Sequence, residues 1–355
     1  MTLHRVTAAA AHQLPCRACK GFGPRGGACT SCGAALASSK RMEPNSLLGS
    51  YRVDDVLGEG GMGIVYLATH VRLDRRVAIK VLRSEYAENE HALRRFFAEA
   101  RAVNTIAHPN VIEITDFVER PGDDNYYVME LLEGASLAAL LKEGGIPSLQ
   151  RSVAIMSQVA AALAAVHEAG IVHRDLKPDN IVLLQRGGIS DFVKLVDFGV
   201  AKLVGSDDRS VHRGDQQRPM SLSSTSHGTV LGTPEYMSPQ QASGRQVDHR
   251  GDIYSFGAVL YELVTGRLPH EAESFGELVV MRLTTTPTTP SAIADLPHQI
   301  PAALEELIIR CLAIEPEQRP ASIEIVMKEL EKIAEDQGWL VYELNVRPVE
   351  SSRAS

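Results

Sequence analysis

The strongest candidates for chemistry lie in one short stretch, IVHRDLKPDN, residues 171–180. It contains two carboxylates, Asp175 and Asp179, together with Arg174 and Lys177, and it stands between two apolar segments. Charges beside a core cost free energy unless an opposite charge or a reaction uses them. The stretch therefore indicates a reactive site in which one of the two carboxylates does the chemistry.

A glycine-rich stretch, LGEGGMGIV at residues 57–65, fits the pattern G-x-G-x-x-G-x-V. Glycines allow the backbone to approach a phosphate closely. A dinucleotide-binding turn has similar spacing but opens a helix, whereas the residues that follow here continue as a strand. The pattern therefore predicts a β-hairpin that covers a nucleotide, although a plain hairpin turn explains this motif equally well when it is taken alone.

Two more charged residues stand inside apolar patterns. Lys80 ends the predicted strand VAIK, and Glu99 follows 19 residues later in a predicted helix. An ion pair between them would hold the Lys80 ammonium ready for phosphate oxygens. Without the other motifs, a solvated glutamate on a helix face would be the favoured interpretation of Glu99.

Together with VDFG at 196–199, these motifs resemble the eukaryotic-type (Hanks-type) serine/threonine protein kinases, in a bacterial-like form. The likeness extends over residues 51–331 and includes three further motifs: GTPEYMSP at 232–239, DIYSFG at 252–257 and EQRP at 317–320. The resemblance implies an α+β fold with two lobes, a β-rich N-lobe with one helix and a mainly helical C-lobe.

The resemblance also assigns the reacting groups. Asp175 matches the aspartate that accepts the proton of the substrate hydroxyl, and Lys177 the lysine that steadies the transferring phosphoryl group. Asn180 and Asp197 match the ligands of Mg²⁺, for which Mn²⁺ is an alternative. Asp179 falls at a variable position and is expected to be a solvated loop carboxylate.

The expected reaction is transfer of the γ-phosphoryl group of ATP to Ser/Thr hydroxyls of proteins, including this chain itself, in signalling. Thr233 matches the threonine that contacts the catalytic loop in serine/threonine kinases, and Lys177 also argues against tyrosine specificity. The rival class is a pseudokinase that keeps the fold as a binding scaffold without turnover. Kinases of small molecules share part of the motif set.

A nucleotide site follows from the same resemblance. It combines the glycine-rich turn, the lysine of the VAIK motif, apolar residues that sandwich adenine, and the backbone of the connection between lobes. Its residues are Leu57, Gly58, Glu59, Gly60, Gly61, Met62, Gly63, Ile64, Val65, Ala78, Lys80, Met129, Glu130 and Leu132. His173 and Phe198 resemble packed supporting residues, and Asp252 resembles the buried anchor of the catalytic loop.

Two features bear on regulation. Arg174 precedes the catalytic aspartate, a position at which an arginine can pair with a phosphate in the activation loop. Thr225, in a polar loop at 203–228, and Thr229, directly after that loop, are the predicted sites of autophosphorylation in trans.

The chain departs from the family pattern at Gln240, where a glutamate is usual. Arg319 matches that glutamate's arginine partner, so Gln240 is expected to accept a hydrogen bond from it without supplying charge. The change Gln240→Glu is therefore predicted to raise the melting temperature.

The cysteine spacing C-x₂-C-x₉-C-x₂-C predicts a small zinc ribbon at residues 16–36, because two such turns place four thiolates around one Zn²⁺. The predicted ligands are Cys16, Cys19, Cys29 and Cys32. Disulfides and a redox pair are the alternatives.

The same N-terminal segment is basic. Residues 1–50 hold six basic residues against Glu43 alone, which leaves open that the segment binds nucleic acid. Phe22 is the one aromatic residue there and makes a poor stacking platform, so a protein partner is favoured.

Composition bounds the rest. With 44% hydrophobic and 23% charged residues and a net charge of −8, the chain is an ordinary globular protein whose acidic body repels nucleic acid. No secretory signal or membrane span is expected, since residues 153–166 read as a packed helix, and the expected location is cytoplasmic. The expected division is a disordered N-terminus at 1–15, the ribbon at 16–36, a linker at 37–50, the kinase domain at 51–334 (lobes 51–133 and 134–334) and a tail at 335–355.

Overall fold

A computed structural model describes residues 13–15, 22–24, 41–86, 89–119, 124–198 and 234–339. These residues divide into two compact units. The first contains the residues up to Arg101 together with Glu113–Leu132, and the second contains Ala102–Ile112 and the residues from Glu133 onward.

The first unit is built on antiparallel strands with one helix. Its elements are β1 (Gln13–Pro15), β2 (Phe22–Pro24), β3 (Leu47–Leu48), β4 (Tyr51–Glu59), β5 (Gly63–His70), β6 (Arg75–Leu82), α1 (Glu90–Asn104, in this unit up to Arg101), β7 (Ile114–Val118) and β8 (Tyr126–Met129). Strands β3 to β8 form one sheet in the order β3-β4-β5-β6-β8-β7, and β1 pairs with β2 separately. The buried residues of this sheet concentrate in β5, β6 and β8.

Alternation of side chains along the strands builds the core of this unit. Tyr66, Ala68 and Ile79 are fully buried on one face of β5 and β6, and Met42 and Tyr51 pack against the same cluster. In helix α1, Phe96, Phe97 and Ala100 are buried, on the apolar stripe that an amphipathic helix turns toward a core.

The second unit is mainly helical. Its elements are β9 (Gly134–Ser136), α2 (Leu137–Gly144), α3 (Leu149–Glu168), β10 (Ile181–Arg186), β11 (Ile189–Leu195), α4 (Pro239–Ala242), α5 (Arg250–Thr265), α6 (Phe275–Thr284), α7 (Ala302–Cys311) and α8 (Ile323–Asp336). Strands β9, β10 and β11 form a small antiparallel sheet in the order β11-β10-β9.

Helices α3 and α5 form the centre of the second unit. Nearly every residue of α5 is buried, and α3 buries twelve residues, including Ser157 and Gln158. A helix that is apolar on most sides lies inside a core. Helix α3 is long and apolar enough to cross a membrane by length and composition, but 67% of its apolar window is buried within the protein. This burial agrees with the packed helix expected at 153–166.

The sheet of the first unit starts before the predicted domain boundary. Leu47 and Leu48 pair with Arg52 and Tyr51, and Leu48 is 4% exposed, although the segment 37–50 was predicted to be a linker. Gln13–Pro15 likewise forms a strand where a disordered N-terminus was expected. Strands of two or three residues are too short to give a pattern in sequence, which is why neither feature was predicted.

Candidate active site

The catalytic segment, residues 173–180, is anchored by one buried carboxylate. Asp252, at the start of α5, is 1% exposed. Its oxygens accept hydrogen bonds from the backbone N–H groups of His173, at 2.7 Å, and Arg174, at 2.8 Å. His167 Nε2 lies 2.9 Å from the same carboxylate. Asp252 therefore has the supporting position that the sequence predicted for it.

Three predicted site residues of this segment lie together. Lys177 Nζ is 3.2 Å from Asp175 Oδ2, and Asn180 Nδ2 donates to the carbonyl oxygen of Asp175 at 2.8 Å and to its Oδ2 at 3.3 Å. Asp175 is half-buried, whereas Asp179 is exposed, as expected for a solvated carboxylate. Asp175 is thus a half-buried carboxylate held beside a cation.

Two residues at this site have left-handed backbone. Arg174 has φ of 62° and Asp197 has φ of 52°, a region that non-glycine residues seldom adopt and that costs about 1 kcal/mol or more. Both backbone polar groups of Arg174 are hydrogen-bonded, since its N–H donates to Asp252 and its carbonyl accepts from Gln241 Nε2 at 2.8 Å. Such strain persists only where surrounding bonds enforce it, which is common at active sites.

His173 and Phe198 support the same segment from its buried side. Their ring centroids are 4.6 Å apart, and both residues are buried. Burial lowers the pKa of His173 below its usual 6.5, although the nearby carboxylates of Asp252 and Asp175 act in the opposite direction. The neutral ring can accept at Nδ1 from the N–H of Asp175, 3.3 Å away.

The residues expected to hold magnesium suit that ion. Asn180 and Asp197 offer an amide oxygen and a carboxylate, the hard donors that Mg²⁺ prefers. The hydrogen bonds of Asn180 to Asp175 use its Nδ2 atom, so they orient the amide without using the oxygen that would bind a cation. The backbone also joins the pair, because the N–H of Val196 donates to the carbonyl of Asn180 at 3.0 Å.

In the first unit, the expected ion pair between Lys80 and Glu99 is present. Lys80 Nζ lies 2.9 Å from Glu99 Oε1, and the two side chains are 13% and 9% exposed. The hydroxyl of Tyr127 donates to the same Oε1 atom at 3.0 Å. Glu99 therefore points inward from α1 and is not a solvated helix-face residue.

Several residues predicted to bind nucleotide share one face of the sheet. Val65 pairs with Lys80, and Ala78 pairs with Met129; cross-strand partners, and residues two apart on a strand, point to the same side. This face therefore presents apolar side chains beside the lysine, as a site for an aromatic ring requires.

The glycine-rich turn closes the β4–β5 hairpin. Gly58 pairs with Val65 and Glu59 with Ile64, and the N–H of Gly60 donates to the carbonyl of Gly63 at 2.9 Å. A Cβ atom on Gly63 would lie 2.7 Å from the carbonyl oxygen of Val81, so glycine is required there. The remaining predicted residues are half-buried or exposed: Leu57, Gly61 and Met62.

The predicted adenine contacts at Glu130 and Leu132 lie after β8. The N–H of Glu130 donates to the carbonyl of Glu113 at 3.0 Å, and its Oε1 accepts from the N–H of Glu113 at 2.8 Å. The backbone N–H of Glu130 is therefore already bonded within its unit. Leu132 is half-buried and ends the first unit.

Gln240 and Arg319 are in contact, as the sequence predicted. Arg319 Nη2 donates to Gln240 Oε1 at 2.8 Å, and Gln240 Nε2 donates to the carbonyl of Ile314 at 2.9 Å. Arg319 also donates to the carbonyls of Ala313, Arg250 and Ile314. Burial lowers the pKa of Arg319 to about 10, although Tyr254, Asp248 and Glu317 act in the opposite direction.

Sequence reasoning missed two residues that hold the site. Gln241 Nε2 donates to the carbonyl of Arg174 while the Gln241 Oε1 caps α4. Arg83, directly after β6, donates to the carbonyl of Gly60. A charged residue at the end of the apolar run VAIKVL was the available signal for Arg83; Gln241 had none.

Several predicted residues lie outside the described residues. They are the zinc ligands Cys16, Cys19, Cys29 and Cys32, the specificity residue Thr233 and the phosphorylation candidates Thr225 and Thr229. Strands β1 and β2 stand on either side of Cys16 and Cys19 in the sequence. The predictions for these residues remain predictions.

Comparison with known families matches residues 51–330 to the protein kinase domain. The chain therefore belongs to the protein kinase family.

Curated relatives are bacterial serine/threonine kinases. Serine/threonine-protein kinase Pkn1 of Myxococcus xanthus is 44% identical over 276 residues, which are 78% of this chain and 37% of the relative. Serine/threonine-protein kinase PrkC of Bacillus subtilis is 38% identical over 272 residues, 76% of this chain and 38% of the relative. These matches confirm that the domain is of the serine/threonine kind. The chain spans half or less of the length of the relatives it matches.

A solved structure shares the fold. The kinase domain of PknI from Mycobacterium tuberculosis aligns with a TM-score of 0.58 at 24% identity, covering 82% of this chain and 99% of that domain. The predicted α+β fold, a β-rich N-terminal part and a mainly helical C-terminal part, is thereby confirmed for the kinase domain.

Proposed function

We propose that this chain is an active, ATP-dependent serine/threonine protein kinase that phosphorylates proteins, itself included. The observation that carries the proposal is the arrangement of Asp175, Lys177 and Asn180 in a segment fixed by buried Asp252. A pseudokinase would have no need to maintain these contacts. The intact Lys80–Glu99 pair adds further support.

In this mechanism, Asp175 accepts the proton of the acceptor hydroxyl and orients its oxygen toward the phosphorus. Lys177, beside it, contributes positive charge where negative charge develops on the transferring group. Lys80, held by Glu99, binds phosphate oxygens. Asn180 and Asp197 would hold magnesium, which would neutralise charge on the ATP phosphates.

The test is transfer of a labelled γ-phosphoryl group from ATP to a generic protein and to the chain itself. Asp175→Asn should lower the rate about 100-fold or more because the general base is lost. Asp179→Asn is the matched control, since its exposed carboxylate lies in the same segment, and it should retain activity. No transfer by the wild type would indicate a pseudokinase, and equal, measurable rates for the wild type and Asp175→Asn would show that Asp175 is not the general base.

Autophosphorylation in trans at Thr229 or Thr225 is part of the proposal. It is supported by Arg174, which stands beside the catalytic aspartate with its backbone fixed at both ends and whose guanidinium suits a phosphate. Mixing active chain with Asp175→Asn chain and ATP should place phosphate on the inactive one. Mass spectrometry that finds none within 203–233 would exclude this step.

We also propose one Zn²⁺ held by the four N-terminal cysteines, supported by their spacing. The full chain purified without added metal should contain one zinc per molecule, and Cys16→Ser or Cys29→Ser should lose it. Cys311→Ala is the matched control because Cys311 is buried in α7, where burial raises the pKa of its thiol to about 12. Zinc retained in both ribbon variants would exclude the site.

The ribbon has two candidate binding partners, a protein or a nucleic acid. Protein contact is the better supported, because the segment lacks a stacking platform. Salt-dependent binding of DNA or RNA by the full chain, lost with Cys16→Ser, would favour the alternative. The cytoplasmic location stays a prediction.

A further inference from the structure

The glycine-rich turn is attached to the rest of its unit by a buried arginine. Arg83 follows β6 and is 4% exposed. Its Nε and Nη2 atoms donate to the carbonyl oxygen of Gly60 at 3.0 and 2.8 Å. Its backbone N–H donates to the carbonyl of Met62 at 3.0 Å. Arg83 therefore forms hydrogen bonds to Gly60 and to Met62, on either side of the tip of the turn.

A second arginine joins this attachment from the chain segment before the domain. Glu59 lies between the two, with Oε2 3.4 Å from Arg83 Nη2 and Oε1 in contact with Arg41 Nη2 at 2.5 Å. Arg41 is exposed, and its neighbour Met42 donates its N–H to the hydroxyl of Tyr66 at 3.0 Å. These three charged groups carry one positive charge in excess.

We propose that Arg83 is a positioning residue for the nucleotide loop, which it holds in place before ATP arrives. This inference rests on the proposed function, since it assumes that the loop covers ATP. A guanidinium that makes two hydrogen bonds to one carbonyl fixes both the distance and the direction of the turn. A loop ordered in advance loses less entropy on binding, and that difference appears as affinity. The excess positive charge favours the triphosphate.

The tip of the turn contains glycines that have no side chain with which to pack against the sheet. Gly60 and Gly61 are exposed, and glycine loses more conformational freedom on ordering than any other residue. The turn therefore requires an attachment if it is to be ordered without ligand, and Arg83 supplies it at the glycine where the hairpin reverses.

The kinetic test compares Arg83→Met with wild type. The KM for ATP should rise about tenfold, the effect of losing hydrogen bonds to a charged group, while kcat and the KM for a protein acceptor stay within about twofold of wild type. Arg83→Lys keeps the charge but not the fork and should give an intermediate KM. Arg101→Met is the matched control, because Arg101 is exposed in the same unit and paired with Glu119 at 2.9 Å.

A second measurement does not depend on catalysis. Without nucleotide, the amides of residues 57–63 should exchange hydrogen faster in Arg83→Met than in wild type or Arg101→Met. An unchanged exchange rate with an unchanged KM for ATP would overturn the proposal. If the wild type transfers no phosphate, the proposed function fails, and the exchange rates alone still decide whether Arg83 holds the turn. Should Arg83→Met fail to fold, Arg83→Lys, which keeps the charge but not the fork, provides the comparison with wild type.

Discussion

The catalytic segment at 173–180 and the glycine-rich turn at 57–65 are held in different ways. The first rests on the buried carboxylate of Asp252, with His173 and Asn180 buried in the same segment. The second is half-buried or exposed at its tip and depends on hydrogen bonds from Arg83. Buried, fully bonded groups give rigid positions, and exposed segments with few contacts move at low free-energy cost.

This difference fits what each region would do. A base that must meet a hydroxyl proton requires a fixed distance, because a displacement of about 1 Å can cost about 100-fold in rate. A loop that covers a nucleotide must open to let it enter and leave. Hydrogen bonds from one arginine to one carbonyl restrain such a loop without burying it in the core.

The largest effect is expected from Asp252→Asn. The amide offers one acceptor oxygen to replace two, and its NH₂ group then faces the N–H of His173 or Arg174. We expect a loss of about 3 kcal/mol in the free energy of unfolding and a fall of about 100-fold in phosphotransfer. Urea denaturation and a labelled-ATP assay measure the two.

Asp179→Asn, on the surface of the same segment, should change neither quantity. If Asp252→Asn were as active as wild type, the catalytic segment would not depend on this anchor, and the contrast with the glycine-rich turn would disappear.

The next largest effect is expected in the first unit, from Glu99→Gln. Lys80 would then lose the carboxylate at 2.9 Å, and its ammonium would no longer be held at the nucleotide face. We expect phosphotransfer to fall about tenfold or more, with a loss of about 2 kcal/mol in stability because both side chains are mostly buried. Initial rates at saturating ATP and urea denaturation check the two values.

Glu119→Gln is the control, since it removes an exposed carboxylate that pairs with Arg101 in the same unit. A Glu99→Gln enzyme with the wild-type rate would show that Lys80 is positioned by other contacts.

A smaller effect of opposite sign is expected for Gln240→Glu. The new carboxylate would pair with Arg319, whose pKa burial lowers to about 10. The hydrogen bond from Gln240 to the Ile314 carbonyl would be lost, but Arg319 Nη2 still donates to that carbonyl at 2.9 Å. The net gain should be about 1 kcal/mol, or about 2–4 °C in melting temperature.

Calorimetry at pH 7 measures this gain, and Gln318→Glu, in the turn next to Arg319, is the control for added charge. A lower melting temperature in Gln240→Glu would mean that the bond to Ile314 outweighs the ion pair.

The contacts that could be predicted from sequence are those that recur with a motif. The Lys80–Glu99 pair joins a strand to a helix 19 residues away, and Gln240–Arg319 joins residues 79 apart, yet both were expected because each residue belongs to an identified motif. The order of strands and helices was equally accessible, since it follows from apolar periodicity.

The contacts that could not be predicted depend on tertiary packing around residues outside motifs. Arg83 directly follows a strand, at a position where an arginine is normally exposed. Its burial follows only once the β4–β5 hairpin folds back over it. Likewise, the left-handed backbone of Arg174 arises from Asp252 and Gln241, which are distant in sequence. Propensity carries no information on either.

The smallest expected effect concerns pH and tests whether the catalytic segment depends on a neutral histidine. Burial lowers the pKa of His173 from 6.5, so the unfolded chain binds this proton more readily than the folded one. Stability contributed by neutral His173 is therefore complete above pH 6.5 and is lost as the pH falls below 6.5 toward the lowered pKa.

His173→Phe keeps a ring against Phe198 but cannot titrate. Its free energy of unfolding should fall less than that of wild type between pH 7 and pH 5, whereas His91→Phe, on the exposed face of α1, should follow wild type. Equal pH slopes in wild type and His173→Phe would show that protonation of this ring does not oppose folding, and the acceptor at Nδ1 would then have no part in holding Asp175.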